Sequence, residues 1–184
     1  MRISRFVALV AFAAAIPAAN AAVMVIGSGP EKVCYLASKA GKANRAGLQA
    51  CDEALRTAAL STHDRAATHV NRSVMLLAYH RTDDALADTD AALAIIPDLE
   101  EATVNRSAAL IRLDRFAEAR DILDEALPRA RGRVLLSGLF NRAIASEALG
   151  DTKSAYRDLK QIVAADPEFE DAQIELARYR VVSR

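Results

Sequence analysis

The sequence lacks tryptophan, carries no net charge, and has only two cysteines and seven glycines in 184 residues. So few glycines in a chain that is 52% hydrophobic indicate a folded, helix-rich protein about one domain in length. Lysine plus arginine total 24, as do aspartate plus glutamate. This balance argues against a nucleic-acid partner, because binding phosphate requires a concentrated basic face.

Sequence motifs of common hydrolases and of zinc or redox sites are also missing. There is no Gly-x-Ser-x-Gly, His-Glu-x-x-His or Cys-x-x-Cys. The three histidines are His63, His69 and His80. His69 and His80 lie too far apart along one helix to share a metal ion. We therefore predict that the protein is not an enzyme and has no catalytic residue, metal or cofactor.

The N-terminal apolar run is eleven residues long and ends before Pro17, which is too short to cross a bilayer. The N-terminal run, residues 6–16, follows Arg2 and Arg5 and precedes a small-x-small sequence at residues 19–21. This order is typical of a signal peptide that is cleaved after Ala21. An uncleaved membrane anchor is the alternative. We expect a periplasmic or secreted protein with no stable membrane span after cleavage and, once both arginines are removed, 22 basic residues against 24 acidic ones.

The middle of the chain is internally repetitive. Asn-Arg-Ser occurs at residues 71–73 and 105–107, and Asn-Arg-Ala at residues 141–143. The intervals between the asparagines are 34 and 36 residues. Self-similarity at this period indicates a protein built from stacked helical repeats.

Small residues recur at fixed places within each unit. Counted from Ala66, the eighth, twentieth and twenty-seventh residues are small and a proline stands at the thirty-second: Ser73, Ala85, Ala92 and Pro97. Units counted from Glu100 and Leu136 keep most of this pattern, with Arg131 and Ile162 as departures. On these residues the chain resembles the tetratricopeptide repeat (TPR) family, whose helix–turn–helix unit has about 34 residues. The resemblance implies an all-α fold, a right-handed stack of antiparallel helix pairs.

The repeat pattern and its boundaries predict a domain organisation. A short arm ends in Gly-Ser-Gly-Pro, which stops any helix before the first pair. The first pair matches the repeat weakly, and a charged last helix closes the stack. The predicted segments are a signal peptide (1–21), an extended arm (22–30), a degenerate first helix pair (31–63), three TPR-like repeats within 64–167 (about 66–99, 100–135 and 136–169) and a capping helix (168–184).

The turn inside each unit holds a residue that tolerates a positive φ. These residues are His80, Asp114 and Gly150. We therefore interpret His80 as a turn residue and not as a ligand or base.

Charged residues recur with the repeat. Arg72 and Arg142 are each followed sixteen residues later by an aspartate, Asp88 and Asp158. We predict that each pair links the two helices of its unit. The alternative is solvated charges that contribute little to stability.

The resemblance implies a concave groove lined by the first helix of each unit. In the family, an asparagine at the sixth position can hold a peptide's backbone or its terminal carboxylate, although Val70 and Val104 stand here where a clamp lysine would. The alternative for the asparagines is an internal hydrogen bond to a neighbouring helix. The predicted partner-binding residues are Val70, Asn71, Val74, Leu77, Val104, Asn105, Ala108, Ile111, Phe140, Asn141 and Ile144.

The function implied by the resemblance is that of a non-catalytic protein-interaction module or scaffold of the cell envelope, which binds a peptide or partner segment in this groove. One alternative is a structural or self-associating subunit whose groove is filled by its own arm, residues 23–30, or by a second copy. An unrecognised enzyme is a further alternative.

The two cysteines are equally distant from a predicted turn. Cys34 and Cys51 lie symmetrically about the point between Lys42 and Ala43. Two antiparallel helices folded about that turn bring both cysteines to the same height, where a disulfide is geometrically attainable. Export would supply the oxidant. We predict a disulfide, with two buried free thiols as the alternative.

Overall fold

The computed structural model describes residues 2–5, 19–56 and 59–182 of the chain. Helices dominate these residues, and one pair of short strands joins the two ends. The helices are α1 (Pro30–Lys39), α2 (Arg45–Arg56), α3 (Thr62–Ala78), α4 (Thr82–Ile95), α5 (Glu100–Arg112), α6 (Phe116–Ala126), α7 (Gly132–Ala148), α8 (Thr152–Ala165) and α9 (Glu170–Ala177); the strands are β1 (Arg2–Arg5) and β2 (Tyr179–Val182).

Consecutive helices pack as pairs, and the pairs stack. Helix α1 packs on α2, α3 on α4, α5 on α6, and α7 on α8. The first helices contact one another in the order α1, α3, α5 and α7, and each second helix also contacts the next pair. The predicted all-α helical-repeat fold is confirmed.

The small repeat positions are the places where helices approach one another. All nine predicted positions are buried, eight of them small and the ninth Ile162. Small side chains let two helix backbones come close, and larger residues such as Leu123 and Phe140 fill the space between units. The buried positions are Ser73, Ala85, Ala92, Ser107, Ala119, Ala126, Ala143, Ala155 and Ile162.

The first helix pair follows the repeat more closely than its sequence indicates. Counted from Glu31, its eighth and twentieth residues are Ser38 and Ala50, and both are buried. A Cβ atom added at Gly47 would overlap the Cβ of Ala37, so glycine permits the close approach of α1 and α2. This register is not evident from the sequence alone.

The predicted disulfide is confirmed. Cys34 on α1 and Cys51 on α2 are bonded, with a Cα–Cα distance of 4.8 Å. Both cysteines are fully buried. The bond therefore joins the two helices of the pair that has no preceding repeat to pack on.

The turns within the three repeats share one geometry. His80, Asp114 and Gly150 have φ values of 58°, 57° and 84°, as predicted for turn residues. In each turn the next residue's N–H donates to a carbonyl five residues earlier, as Arg81 does to Leu76 at 2.9 Å. This is the hydrogen bond of a Schellman-type helix end.

The predicted ion pairs are present in the first and third repeats. Arg72 donates two hydrogen bonds to Asp88, each of 2.7 Å. Arg142 does the same to Asp158, at 2.8 and 2.9 Å. In the middle repeat, Arg106 donates instead to an aspartate of the preceding repeat, Asp90 on α4.

The C-terminal end differs from the expected capping helix over residues 168–184. Helix α9 ends at Ala177, and Tyr179–Val182 form a strand that pairs antiparallel with Arg2–Arg5. The β-branched Val181 and Val182 favour this extended conformation.

Residues 6–18, most of the predicted signal peptide, lie outside the described part of the chain. No helix among the described residues combines the length and apolarity that a membrane crossing requires.

Candidate interaction groove

The segment between residue 19 and α1 lies along the first helices of the repeats, α3, α5 and α7, as an extended arm. The sequence predicts this arm over residues 22–30; because α1 begins at Pro30 and the contacts start at Ala19, the name arm is used below for residues 19–29. Ala21, Val23 and Val25 are buried, whereas Met24 and Ile26 are 66% and 84% exposed. This alternation has the period of two that an extended chain shows when one side faces a protein surface.

Two asparagines of the repeat hold the arm by its backbone. Asn105 accepts from the N–H of Ala21 at 2.8 Å and donates to its carbonyl at 3.0 Å. Asn71 accepts from the N–H of Val23 at 2.9 Å and donates to its carbonyl at 2.8 Å. Each side-chain amide therefore satisfies both backbone groups of one arm residue, and successive repeats bind residues two apart.

The row continues at both ends. Asn141 places its Nδ2 3.4 Å from the carbonyl oxygen of Ala19. At the other end, Asp64 accepts from the N–H of Ile26 at 3.1 Å. Side chains from α3, α5 and α7 thus follow the arm from residue 19 to residue 26.

The same asparagines also bond to the preceding unit. In each case the partner is the serine at the eighth repeat position, so one interaction recurs three times along the stack. The bonded pairs are Ser38 with Asn71 (3.0 Å), Ser73 with Asn105 (3.4 Å) and Ser107 with Asn141 (3.0 Å). The two roles considered for the asparagines, a bond to a neighbouring helix and a contact with an extended chain, therefore both occur in the structure. Each asparagine joins two repeats, and each also contacts the arm.

The remaining predicted groove residues are apolar and buried. Val70 packs with Val23 and Val25 of the arm in one cluster. The others lie in hydrophobic clusters of the stack, and their role toward a partner stays a prediction. These residues are Val74, Leu77, Val104, Ala108, Ile111, Phe140 and Ile144.

A cleft of about 800 Å³ lies beside the first residues of the arm. Its walls are the end of α1 with the turn that follows, the start of α7, and the turn between α8 and α9 with the first residues of α9. The lining carries two basic side chains against four acidic ones, which gives the cleft net negative charge. The charged residues are Lys39, Arg133, Asp166, Glu168, Glu170 and Asp171.

Ser38 hydrogen-bonds to the asparagine row and Asp64 to the arm, and neither contact was predicted from the sequence. Asp64 caps α3 together with Ser61, whose Oγ accepts from the N–H of Asp64 at 3.0 Å and donates to its carboxylate at 2.8 Å. A serine followed three residues later by an acidic residue is the sequence signal of a capping box. That signal predicts where the helix starts. It does not predict that the other carboxylate oxygen of Asp64 accepts a hydrogen bond from the N–H of Ile26.

We predict that acid weakens the hydrogen bond between Asp64 and the arm residue Ile26. The backbone N–H of Ile26 is the largest cause that lowers the pKa of Asp64, and the bonds from Ser61 and His63 add to it against the effect of burial. Because the folded pKa is depressed, this stabilisation is present above the unfolded pKa and is lost as the pH falls through the folded value, below about pH 4. The difference in melting temperature between the wild type and Asp64→Asn should shrink from pH 6 to pH 3. A constant difference would contradict the assignment.

The histidines do not converge on a chemical site. His69 Nδ1 lies 2.9 Å from Asp88 Oδ1, beside Arg72, and His80 is a turn residue. The described part of the chain contains no group of three histidine, cysteine or acidic side chains placed to hold a metal ion.

Comparison with known proteins places the fold. No protein-family model and no curated protein matches the chain. A solved structure titled "MamA RS-1 ArsTM double mutant" is similar, with a TM-score of 0.59 and 15% sequence identity over 83% of each chain. MamA is a TPR-fold protein. The chain has a TPR-like helical-repeat fold. A likeness at 15% identity shows the fold alone and carries no further property of MamA to this chain.

Proposed function

We propose that this protein is a non-catalytic interaction module of the cell envelope whose concave face holds an extended polypeptide by its backbone. The observation that carries the proposal is the paired contact of Asn71 and Asn105 with the N–H and carbonyl of Val23 and Ala21. An extended chain with other side chains presents the same two groups at every second residue.

The contacts with the arm explain how such binding tolerates different sequences. Within the arm, the asparagines bond only to main-chain atoms, which every residue except proline provides in full. The side chains of the bound segment matter through their size. Those that face the groove, Ala21, Val23 and Val25, are small and buried. Binding of this kind selects an extended conformation and small inward residues more than a particular sequence.

The arm also gives specific support to a second candidate function. If the arm never leaves the groove, the protein is a structural subunit whose concave face is filled from within. In that case partners bind elsewhere on the stack. The two functions differ in whether the asparagine row becomes available to another chain.

An extracytoplasmic location is part of the proposal. Disulfides persist mainly in oxidising compartments, and Cys34–Cys51 is such a bond. The composition of residues 1–21 supports export with cleavage after Ala21.

Asn71→Ala is expected to release the arm at Val23. The variant removes two hydrogen bonds to one residue, each with a net contribution of about 1 kcal/mol, so exchange of the Val23 amide should accelerate by about ten-fold or more. Hydrogen-exchange mass spectrometry of the arm measures this rate. Asn44→Ala is the matched control, since Asn44 bonds only locally, to the N–H of Gly47. Equal exchange of the Val23 amide in both variants would overturn the role given to Asn71.

A photo-crosslinker at Ile26 separates the two candidate functions. The position is exposed and lies beside the asparagine row, so a partner that enters the groove comes within reach. Crosslinking in the native envelope should yield an adduct with another protein. Adducts only within the chain or between two copies would favour the structural subunit.

A further inference from the structure

The predicted cleavage site lies within the part of the arm that the asparagine row holds. We infer that cleavage after Ala21 empties the Asn105–Asn141 half of the groove, and that this half then binds an extended segment of another polypeptide, with small residues at alternate positions and basic residues before them. The inference rests on the export and cleavage that belong to the proposed function.

The remaining arm keeps its own contacts after cleavage. Val23 is held by Asn71, and Ile26 by Asp64. Val23 and Val25 stay packed against Val70. Residues 22–29 therefore still fill the groove over α3. The partner site lies next to Ala22, where residues 19–21 were bound.

The emptied half uncovers hydrogen-bonding groups that the arm had satisfied. Asn105 is fully buried while the arm is in place, and with Ala21 gone its Oδ1 loses its donor while its Nδ2 keeps only Ser73 Oγ at 3.4 Å. A ligand that covers Asn105 again must offer one N–H and one carbonyl together, because buried polar groups without partners are unfavourable. A polypeptide backbone in the extended conformation has this arrangement.

Residues 19–21 show which ligand fits. The chain passes Asn141 at Ala19 and Asn105 at Ala21, so the ligand runs from α7 toward α3 with its inward side chains two residues apart. Ala21 is buried, and Ala19 packs against the hydrophobic cluster that the second and third repeats share. Space of this size suits glycine, alanine or serine.

The charge of the cleft next to this half of the groove favours a ligand of the opposite charge. The acidic residues of its lining lie on the turn between α8 and α9 and on the first turn of α9, beside the end of the groove where the ligand enters. Four acidic and two basic side chains leave two negative charges, and the new amino group of Ala22 reduces this to one. Basic residues on the N-terminal side of the small residues complement that charge.

The test compares two forms of the same chain, both oxidised at Cys34 and Cys51. One is the exported protein, whose N-terminus is determined by mass spectrometry; the other is the precursor made without export, which retains residues 19–21. The probe is a fluorescent peptide, Lys-Lys-Pro-Ala-Ala-Asn-Ala, which carries residues 17–21 behind two lysines. We expect the probe to bind the exported form about ten-fold or more tightly than the precursor, whose own arm occupies the site.

Two altered peptides and one variant assign the contacts. Leucine at the last and third-last positions should weaken binding by about ten-fold or more, because these side chains face buried surface. Glutamate in place of both lysines should also weaken it. Asn105→Ala should reduce the affinity of the exported form similarly. The comparison with the precursor does not depend on how well that variant folds.

Each other outcome overturns the inference in a recognisable way. Equal binding to both forms would place the peptide outside the emptied half of the groove. An exported form that begins at Ala22 and binds no peptide would refute the inference, while slow exchange of the Val23 amide would leave the proposed groove function intact. An exported form that retains residues 19–21 would refute the cleavage on which the inference rests.

Discussion

Asp88→Ala is expected to lower the free energy of unfolding by about 3 kcal/mol. The Asp88 side chain is only 5% exposed and accepts two hydrogen bonds from Arg72, with His69 also in contact. Removing it leaves a half-buried guanidinium with one remaining carboxylate, that of the half-exposed Asp52. Burial opposes ionisation of Asp88, but the hydrogen bonds from Arg72 and His69 outweigh this effect and lower the pKa of Asp88, which is consistent with a stabilising pair.

Asp90→Ala provides the matched control for Asp88→Ala. Asp90 lies on the same helix and also receives a 2.7 Å bond from a repeat arginine, Arg106, but its side chain is 52% exposed. Exposed pairs contribute between zero and about 1 kcal/mol. Urea denaturation of both variants measures the difference. Equal losses of stability would show that burial does not set the strength of these pairs.

Loss of the disulfide is the second large expected effect. Replacing Cys34 and Cys51 by alanine should lower the free energy of unfolding by about 3 kcal/mol, because the bond closes a loop with a sequence separation of 17 residues. The effect should extend to the arm. Helix α1 supplies Ser38, which bonds to Asn71, and Tyr35, which packs against the hydrophobic cluster that contains Val23 and Val25. We therefore expect faster exchange of the Val23 amide in the double variant.

The measurement is denaturation of the wild type and the double variant, each with and without reductant. Reductant should destabilise only the wild type. A similar shift in the variant would mean that reductant acts through something other than this bond. Thiol counting on the denatured, unreduced protein provides a direct check, since two free thiols per chain would contradict the disulfide.

Periodic features could be predicted from the sequence because their partners lie at fixed spacings. The repeat spacing located the buried small residues, the left-handed turn residues and the pairs of Arg72 with Asp88 and Arg142 with Asp158. The disulfide followed from the symmetry of two cysteines about one turn. In the first pair the small residues at 38 and 50 are present, but too few other positions match for the register to be recognised.

The contacts of the arm could not be predicted in the same way. Ala21 and Val23 bond to asparagines 84 and 48 residues away, and no periodicity connects these positions. The pairing of Arg2–Arg5 with Tyr179–Val182 is similarly remote. The sequence left two roles open for the asparagines because one amide group can serve both. In the structure each bonds to the preceding repeat and also contacts the arm.

The arm has a consequence for the order of folding. In a stack of repeats each unit contacts only its neighbours, so contact order is low and such stacks can assemble quickly from any nucleus. The bond between Ala21 and Asn105 spans 84 residues, and the groove that receives the arm exists only after several units have stacked. Docking of the arm is therefore a late step with a high closure entropy. A chain that has not completed this step would already have its helices and its disulfide, while its asparagine row would still be open.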